Sequence, residues 1–426
     1  MIKPSNHPFD KCSAIMNSQR LLERFLRYVR IDTTAVPDSG RYPSSAGQLV
    51  LGKLIAEELR TIGLREVEQD AHGLVWGTLP PSVERAGDAF ALCAHFDTSP
   101  ETTGKNVKPQ VWPNYDGSDL TLPGDKTKVL RTADNPELLR CRGGTIVTTD
   151  GTTLLGADDK AGLAVIVESL AHLAEHPELP HGSIRVCFTC DEEIGHGVDH
   201  VDPKKLNVAC CYTLDGGGRD EIDVETFSAD MATVTVRGIN IHPSIGKGRM
   251  VNAVRGASAF IDRLPHDRLS PETTDGRDGF VHPYMISGGV AETVVHLLLR
   301  DFDSAQLREQ EQLLRATAAA VEQEFPRLKI DVAVTTQYRN MADGLPREPR
   351  AVAYAEQAHR NLGRAFRRTI IRGGTDGSRL TEIGVPTPNL STGEQNPHSP
   401  LEWCCLEDLV AAAEHLVELA QVWARG

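Results

Sequence analysis

The chain has 426 residues, 40% hydrophobic and 24% charged, with a formal net charge of −14, a length that predicts two domains rather than one core. No run approaches the roughly 20 apolar residues of a membrane span, and the ragged stretch Met1 to Asn17 lacks the apolar segment of a secretion signal, so a cytoplasmic protein with no membrane partner is expected. The acid excess, with no basic stripe, argues against a nucleic acid partner and suits a protein that gathers cations in a cleft.

In chain order, Ser18 is expected to cap a helix running to about Arg30, with Leu21, Leu22, Phe25, Leu26 and Val29 on one face. A second helix is predicted over 46–62, stopped by Gly63. Apolar strands follow near 74–79 and 89–94. Residues 100–145, rich in Pro, Gly, Asp and Thr, read as a long irregular excursion, a kind of loop that usually serves function. A strand pair is expected around Asp150-Gly151, a hairpin signal. A helix over 160–175 comes next, then strands at 184–189 and 209–214. This alternation predicts an α/β fold with a mostly parallel sheet and helices on both faces.

From 227 the texture changes. Met231 to Val236 and Lys329 to Val334 alternate polar and apolar, and helices are expected at 252–263 and 305–324. That predicts a smaller α+β domain over 227–338, inserted between two parts of the larger one, 1–226 and 339–426. The earlier pattern returns with a strand at 367–371, then Gly373-Gly374, and a last helix at 406–424.

Nine cysteines, several inside apolar runs (Cys93, Cys187, Cys210, Cys211), predict reduced and buried thiols. Cys187 and Cys190 form a C-x-x-C, open to a redox or zinc reading. Ile184 to Thr189 reads as a strand, however, and no second C-x-x-C at zinc-finger spacing accompanies the pair.

The chemistry-bearing residues fall at strand ends. His95-Phe96-Asp97 follows the strand at 89–94, Asp191-Glu192-Glu193 follows that at 184–189, and Asp215 follows Tyr212-Thr213-Leu214. Parallel strands share one carboxyl-end rim, where open α/β sheets bind ligands. Asp158-Asp159-Lys160 opens a helix, where the dipole favours carboxylates. His398 lies in an irregular segment, 396–400. Each motif alone reads as a turn or a cap; their coincidence at one rim is the argument. Mixed nitrogen and oxygen donors suit zinc, with Mn or Co as alternatives, better than Ca or Mg. Five ligands exceed one catalytic zinc and fit two ions sharing a carboxylate about 3.5–4 Å apart. Asp97 can receive the second ring N–H of His95. One of Glu192 and Glu193 binds metal while the other acts as general base; spacing leaves open which.

The motifs Ala-His-Phe-Asp-Thr-Ser-Pro (94–100), Leu-Leu-Gly-Ala-Asp-Asp-Lys-Ala-Gly (154–162), Asp-Glu-Glu-Ile-Gly (191–195), Thr-Leu-Asp-Gly-Gly-Gly (213–218) and Arg-Gly-Gly-Thr-Asp-Gly (372–377) resemble those of the dinuclear zinc peptidases. The Thr-Ser-Pro after Asp97 and the glycines after Asp215 are similar to the peptidase T branch, the tripeptide aminopeptidases. The likeness runs from about Gln19 onward. It implies a zinc-bearing catalytic domain with an inserted lid or dimerisation domain, hence a homodimer, and a short peptide as substrate. It implies Asp158 as bridging ligand, His95 and Asp215 as the other ligands of one zinc, Glu193 and His398 as those of the second, and Glu192 as general base. It also implies a substrate-binding role for His242, as an oxyanion partner, and for Arg300 and Arg372, as anchors for a peptide carboxylate. The chain departs from the pattern in its N-terminal extension, in Leu401 where a second His is expected, and in Cys190 where a Pro is usual. Two rival readings are a deacylase or dipeptidase on the same scaffold, and a non-catalytic binding protein that kept the fold.

Overall fold

The computed structural model describes residues 16–84 and 87–426; the ragged stretch expected at the N-terminus lies outside them as far as residue 15. The first helix, Ser18–Tyr28, buries Leu21, Leu22, Phe25 and Tyr28. Its cap is Asn17 rather than Ser18: the Asn17 side chain accepts from Arg20 N at 3.0 Å, so an equally good capping residue one position earlier satisfies the orphan donor. Helix Ala46–Ile62 ends at Gly63, whose φ of 103° is open to glycine at little cost.

The main sheet has eleven strands. Its centre is parallel: Ile184–Thr189, Phe90–His95, Cys210–Gly217 and Asn389–Gln395 lie side by side. Antiparallel strands flank them. Both faces are covered, which is why Phe90–His95 is buried at every position and reads as a continuous apolar run. One face packs Phe90, Leu92, Val186 and Tyr212 under helices Ala157–Glu175 and Leu406–Arg425. The other carries Cys93, Cys187 and Cys211 with Trp76 and Leu380. Burying a side chain such as Phe90 contributes about 1.5–3 kcal/mol.

The eight described cysteines of known burial are all buried and unbridged. Cys187 and Cys190 belong to opposite faces of the sheet, in different cores. Three steps along an extended chain reverse the side chain's direction, so this C-x-x-C forms no redox or zinc pair.

The hairpin expected at Asp150-Gly151 is absent. Only Ile146–Thr148 is a strand, and its partners are Trp403–Cys405 and Gln110–Trp112. Asp150 Oδ1 instead accepts from Thr152 N at 3.0 Å and from its hydroxyl, an Asx turn that leads toward the next helix. The 100–145 excursion is irregular, as expected, holding only short strands and one 3-10 turn, Pro136–Cys141.

A second, separate sheet lies between residues 228 and 338, as a smaller inserted unit requires. Its order is Phe280–Gly288, Glu292–Asp301, Ser228–Arg237, Lys329–Tyr338, antiparallel throughout. Helices Ala253–Asp262 and Ser304–Glu324 cover one face, packing Phe260 and Leu314 on Val234, Val236, Leu297 and Leu299. The two strands not foreseen, at 280–288 and 292–301, lack clean alternation: one carries Pro283, the other a solid apolar run. No described helix is long and apolar enough to cross a membrane.

Candidate metal centre

The parallel strands deliver four side chains to one rim. His95 is the last residue of its strand, Asp215 lies in Cys210–Gly217, Glu394 in Asn389–Gln395, and the Asp-Glu-Glu run follows Thr189. Asp191 is the anchor of that run. At φ 62°, its carboxylate accepts at 2.6 Å each from Ser44 N, just before helix Ala46–Ile62, and from Gln48 Nε2 in its first turn. The next two amides, Glu192 N and Glu193 N, donate to Asp97 Oδ1 and Oδ2, both at 3.0 Å. Asp97, fully buried, therefore clamps both glutamates. The nearer neighbour of His95 Nδ1 is Asp97's backbone oxygen, at 3.1 Å, with its carboxylate at 3.4 Å. The backbone carbonyl, more than the carboxylate, orients the ring.

Asp158 stands where the helix Ala157–Glu175 opens in non-helical geometry, ψ 106°. Its place is set by a residue far away in sequence. Glu402 accepts from Leu155 N and Gly156 N at 2.7 Å each and from Asp158 N at 3.1 Å. His398, at φ 62°, is held by Thr102 Oγ1, which donates to its backbone oxygen at 2.6 Å.

The five candidate ligands converge. His95 Nε2 lies 3.0 Å from Asp158 Oδ1 and 3.8 Å from Asp215 Oδ1. His398 Nε2 lies 3.2 Å from Asp158 Oδ2 and 2.9 Å from Glu193 Oε2. The two oxygens of Asp158 thus face two different groups of donors. Glu192 joins His95 and Asp215 within 4.8 Å.

The donor set fits a pair of cations. His95 Nε2, Asp158 Oδ1 and Glu193 Oε1 are buried and make no hydrogen bond of acceptable geometry, a costly state without a cation between them. Burial, then Asp158, pushes Glu193 up to about 8. Burial, then Asp158, raises Asp215 to about 6. Burial drives Glu192 well above the carboxylate range, with Asp215 adding to the effect. Burial opposes ionisation of Asp158 as well, yet the imidazoles of His398 and His95 beside it hold it below the usual range. For His398, burial is outweighed by Asp158 and Glu193, which raise it to about 11. Like charges this close ionise together only when a cation compensates them, and imidazole with carboxylate suits zinc.

The centre opens on a cavity of about 1120 Å³. Glu221, Asp223 and Glu394 line it, and so do Arg300, Arg372 and Arg379. Arg300 is 9% exposed, with Nη1 donating to Asp230 O and Leu299 O and its guanidinium over the Tyr338 ring. Arg372 donates to the carbonyls of Gly276 and Asp278 at 2.9 Å and to Thr274. It lines the cavity as expected, but its fork is already engaged by the 274–278 loop. His242 differs from expectation. It is exposed, caps the 3-10 turn Pro243–Ile245 and does not line the cavity. Leu401 packs in a small core with Tyr115, Leu130 and Trp403. Cys190 keeps the strand exit through its backbone, its carbonyl accepting from Tyr42 Oη at 3.0 Å.

Three acids escape sequence reasoning. Glu402 is a lone Glu in a loop, Glu394 a lone Glu in a strand, and neither has a local signal. Asp376, bound by Thr189 Oγ1 and raised to about 7 by burial, lies in the Arg-Gly-Gly-Thr-Asp-Gly motif, which could have pointed to it although no role was read for it there.

Residues 149–422 match the Peptidase family M20/M25/M40. The chain is 41% identical over 405 residues to Peptidase T of Geobacillus thermodenitrificans (strain NG80-2), covering 95% of this chain and 98% of that one. Its fold is similar to a tripeptidase from Staphylococcus aureus subsp. aureus Mu50, with a TM-score of 0.76 at 23% identity, over 97% of this chain and 100% of the other. It is also similar in fold to a dinuclear metal-binding peptidase of the M20 family from Bacillus subtilis, with a TM-score of 0.64 at 15% identity, over 96% and 98% of the two chains.

Proposed function

The chain belongs to the peptidase family M20/M25/M40, and on that footing we propose that it is a tripeptide aminopeptidase working with two zinc ions, Mn or Co being the alternatives. The observation that carries this is the split of Asp158, one oxygen toward His95 and the other toward His398. One ion would take His95, Asp158 and Asp215, the other Asp158, Glu193 and His398. Three protein ligands each leave a position open, the hallmark of catalytic rather than structural sites. When bound, the pair of ions acidifies an attacking water and polarises the scissile carbonyl.

Glu192 receives the proton of that water and returns it to the leaving amine. Asp97 keeps Glu192 and Glu193 in register by binding both amides. Arg300 and Arg372, both lining the cavity, offer positive charge to the peptide's carboxylate, with part of each fork already committed.

A homodimer through the smaller sheet belongs to the same proposal. Its edge strand Phe280–Gly288 exposes Tyr284, Met285 and Ile286, with 46%, 47% and 51% exposure, an uncovered apolar edge of the kind that pairs. His242 serves an oxyanion only if assembly or closure brings it to the cleft. Buried, unbridged thiols support a reducing cytoplasmic setting.

Metal analysis of the purified protein, alongside di-, tri- and tetrapeptides and N-acyl amino acids, tests the reading. About two ions per chain and preferred release of the first residue of tripeptides are expected. Preference for N-acyl amino acids would favour the deacylase reading, and a metal-free inert protein the binding-protein reading.

A further inference from the structure

We propose that Glu394 receives the free α-ammonium group of the substrate, and so makes the enzyme require an unblocked N-terminus. The proposal rests on the tripeptidase reading and names the subsite that reading leaves unassigned.

Besides the proposed ligands and Glu192, several carboxylates line the cavity, but most are already satisfied. Glu221 pairs with Arg367. Asp223 accepts from Asn389 Nδ2 at 2.9 Å. Asp376 accepts from Thr189 Oγ1 at 2.5 Å. Glu394 has only the Thr392 hydroxyl, at 3.3 Å. It is 5% exposed, and among the described residues no Lys, Arg or His forms an ion pair with it. A buried carboxylate in that state calls for a cation.

Two kinds of cation are available, and geometry separates them. The two ions already have three protein ligands each without Glu394, so it is surplus to the metal centre. A carboxylate oxygen of Glu394 nevertheless lies within 4.8 Å of oxygens of Asp158 and Asp215. In a peptide, the α-nitrogen and the first carbonyl carbon are two bonds apart, about 2.5 Å. The group that holds the ammonium must therefore stand immediately beside the reacting centre, as Glu394 does. Across the strand pair it faces Gly217, and Gly216 and Gly217 also line the cavity. Two residues without side chains leave space there for the first residue of a peptide. Carboxylates and arginines lining one cavity can meet the two charges of a short zwitterionic peptide.

Glu394→Gln, with Glu394→Asp as a second variant, decides the matter. Trialanine and N-acetyl-trialanine are the substrates, free alanine is the competing ligand, and metal content is measured on the same samples. In Glu394→Gln, KM for trialanine and the inhibition constant for alanine are expected to rise together by roughly 10- to 100-fold, the scale of a lost charge-assisted hydrogen bond. kcat changes much less, two ions stay bound, and the preference for the free amine over the acetylated peptide shrinks. Glu394→Asp recovers part of the loss. Unchanged KM and alanine inhibition with both ions in place overturns the proposal. So does loss of an ion in Glu394→Gln, which would make Glu394 a ligand. If Glu394→Gln does not fold, the same readings on Glu394→Asp decide. A parent enzyme that cleaves no free-amine tripeptide sinks the functional reading itself, a result seen before any variant is made.

Discussion

Glu402→Gln isolates the support of the bridging aspartate. In the parent, one carboxylate oxygen takes Leu155 N and Gly156 N at 2.7 Å, and the other takes Asp158 N at 3.1 Å. An amide of the same shape keeps its oxygen toward the two shorter bonds and turns its NH2 toward Asp158 N, donor against donor. One buried N–H loses its acceptor, at a cost of about 1–3 kcal/mol. Asp158 is then free to shift, and loss of such outer support commonly weakens metal binding by about 10- to 100-fold. That factor corresponds to about 1.4–2.7 kcal/mol. The assay is competition with a chromophoric chelator at pH 8, above the value of about 7 to which burial raises Glu402, so the parent is compared in its ionised form. Urea unfolding of the metal-stripped proteins gives the stability loss separately. A variant that is less stable but binds both ions as tightly as the parent would show that Glu402 does not place Asp158.

Glu192→Ala is expected to keep two ions, since neither proposed ligand set uses it, while turnover falls by roughly 10²- to 10⁴-fold, the usual worth of general acid–base catalysis; near-parental turnover would remove it from the proton transfer. The metal-stripped protein is expected to lose stability as pH rises. Glu193 and Asp215 stand raised, at about 8 and about 6. Each binds more protons folded than unfolded between its ordinary value and its raised one, so stability falls through that window. His398, raised to about 11, acts in the same direction: its contribution is full below about 6.5 and is lost as pH rises toward its folded value. Asp158, held low, matters only on acidification. Zinc displaces these protons, so its stabilisation should grow with pH. Thermal melts with and without chelator at pH 5, 6.5 and 8 read this directly, and a stripped protein that melts higher at pH 8 than at pH 5 would contradict it.

Much was legible in the sequence because it is local. Gly63 ends a helix through its own φ, Phe90–His95 announces a doubly buried strand by its composition, and the alternation in 231–236 announces a sheet with one covered face. Acids at or just past the ends of such strands, as Asp215 and Glu193 are, fall on the rim that sheet topology defines, so that share of the convergence was readable before any coordinates. What the chain's order hides is side-chain pairing across distance. Glu402 meets Asp158 from 244 residues away, Asp191 meets Ser44 and Gln48 from 147 and 143 residues away, and Glu394 is set apart only because nothing basic among the described residues pairs with it. The place of His242 outside the cleft is of the same kind, since no local rule says which surface a loop will face. Periodicity and turn chemistry act between neighbours and are written in the sequence; which buried acid finds a partner depends on where distant backbone lies, and only the folded structure decides that.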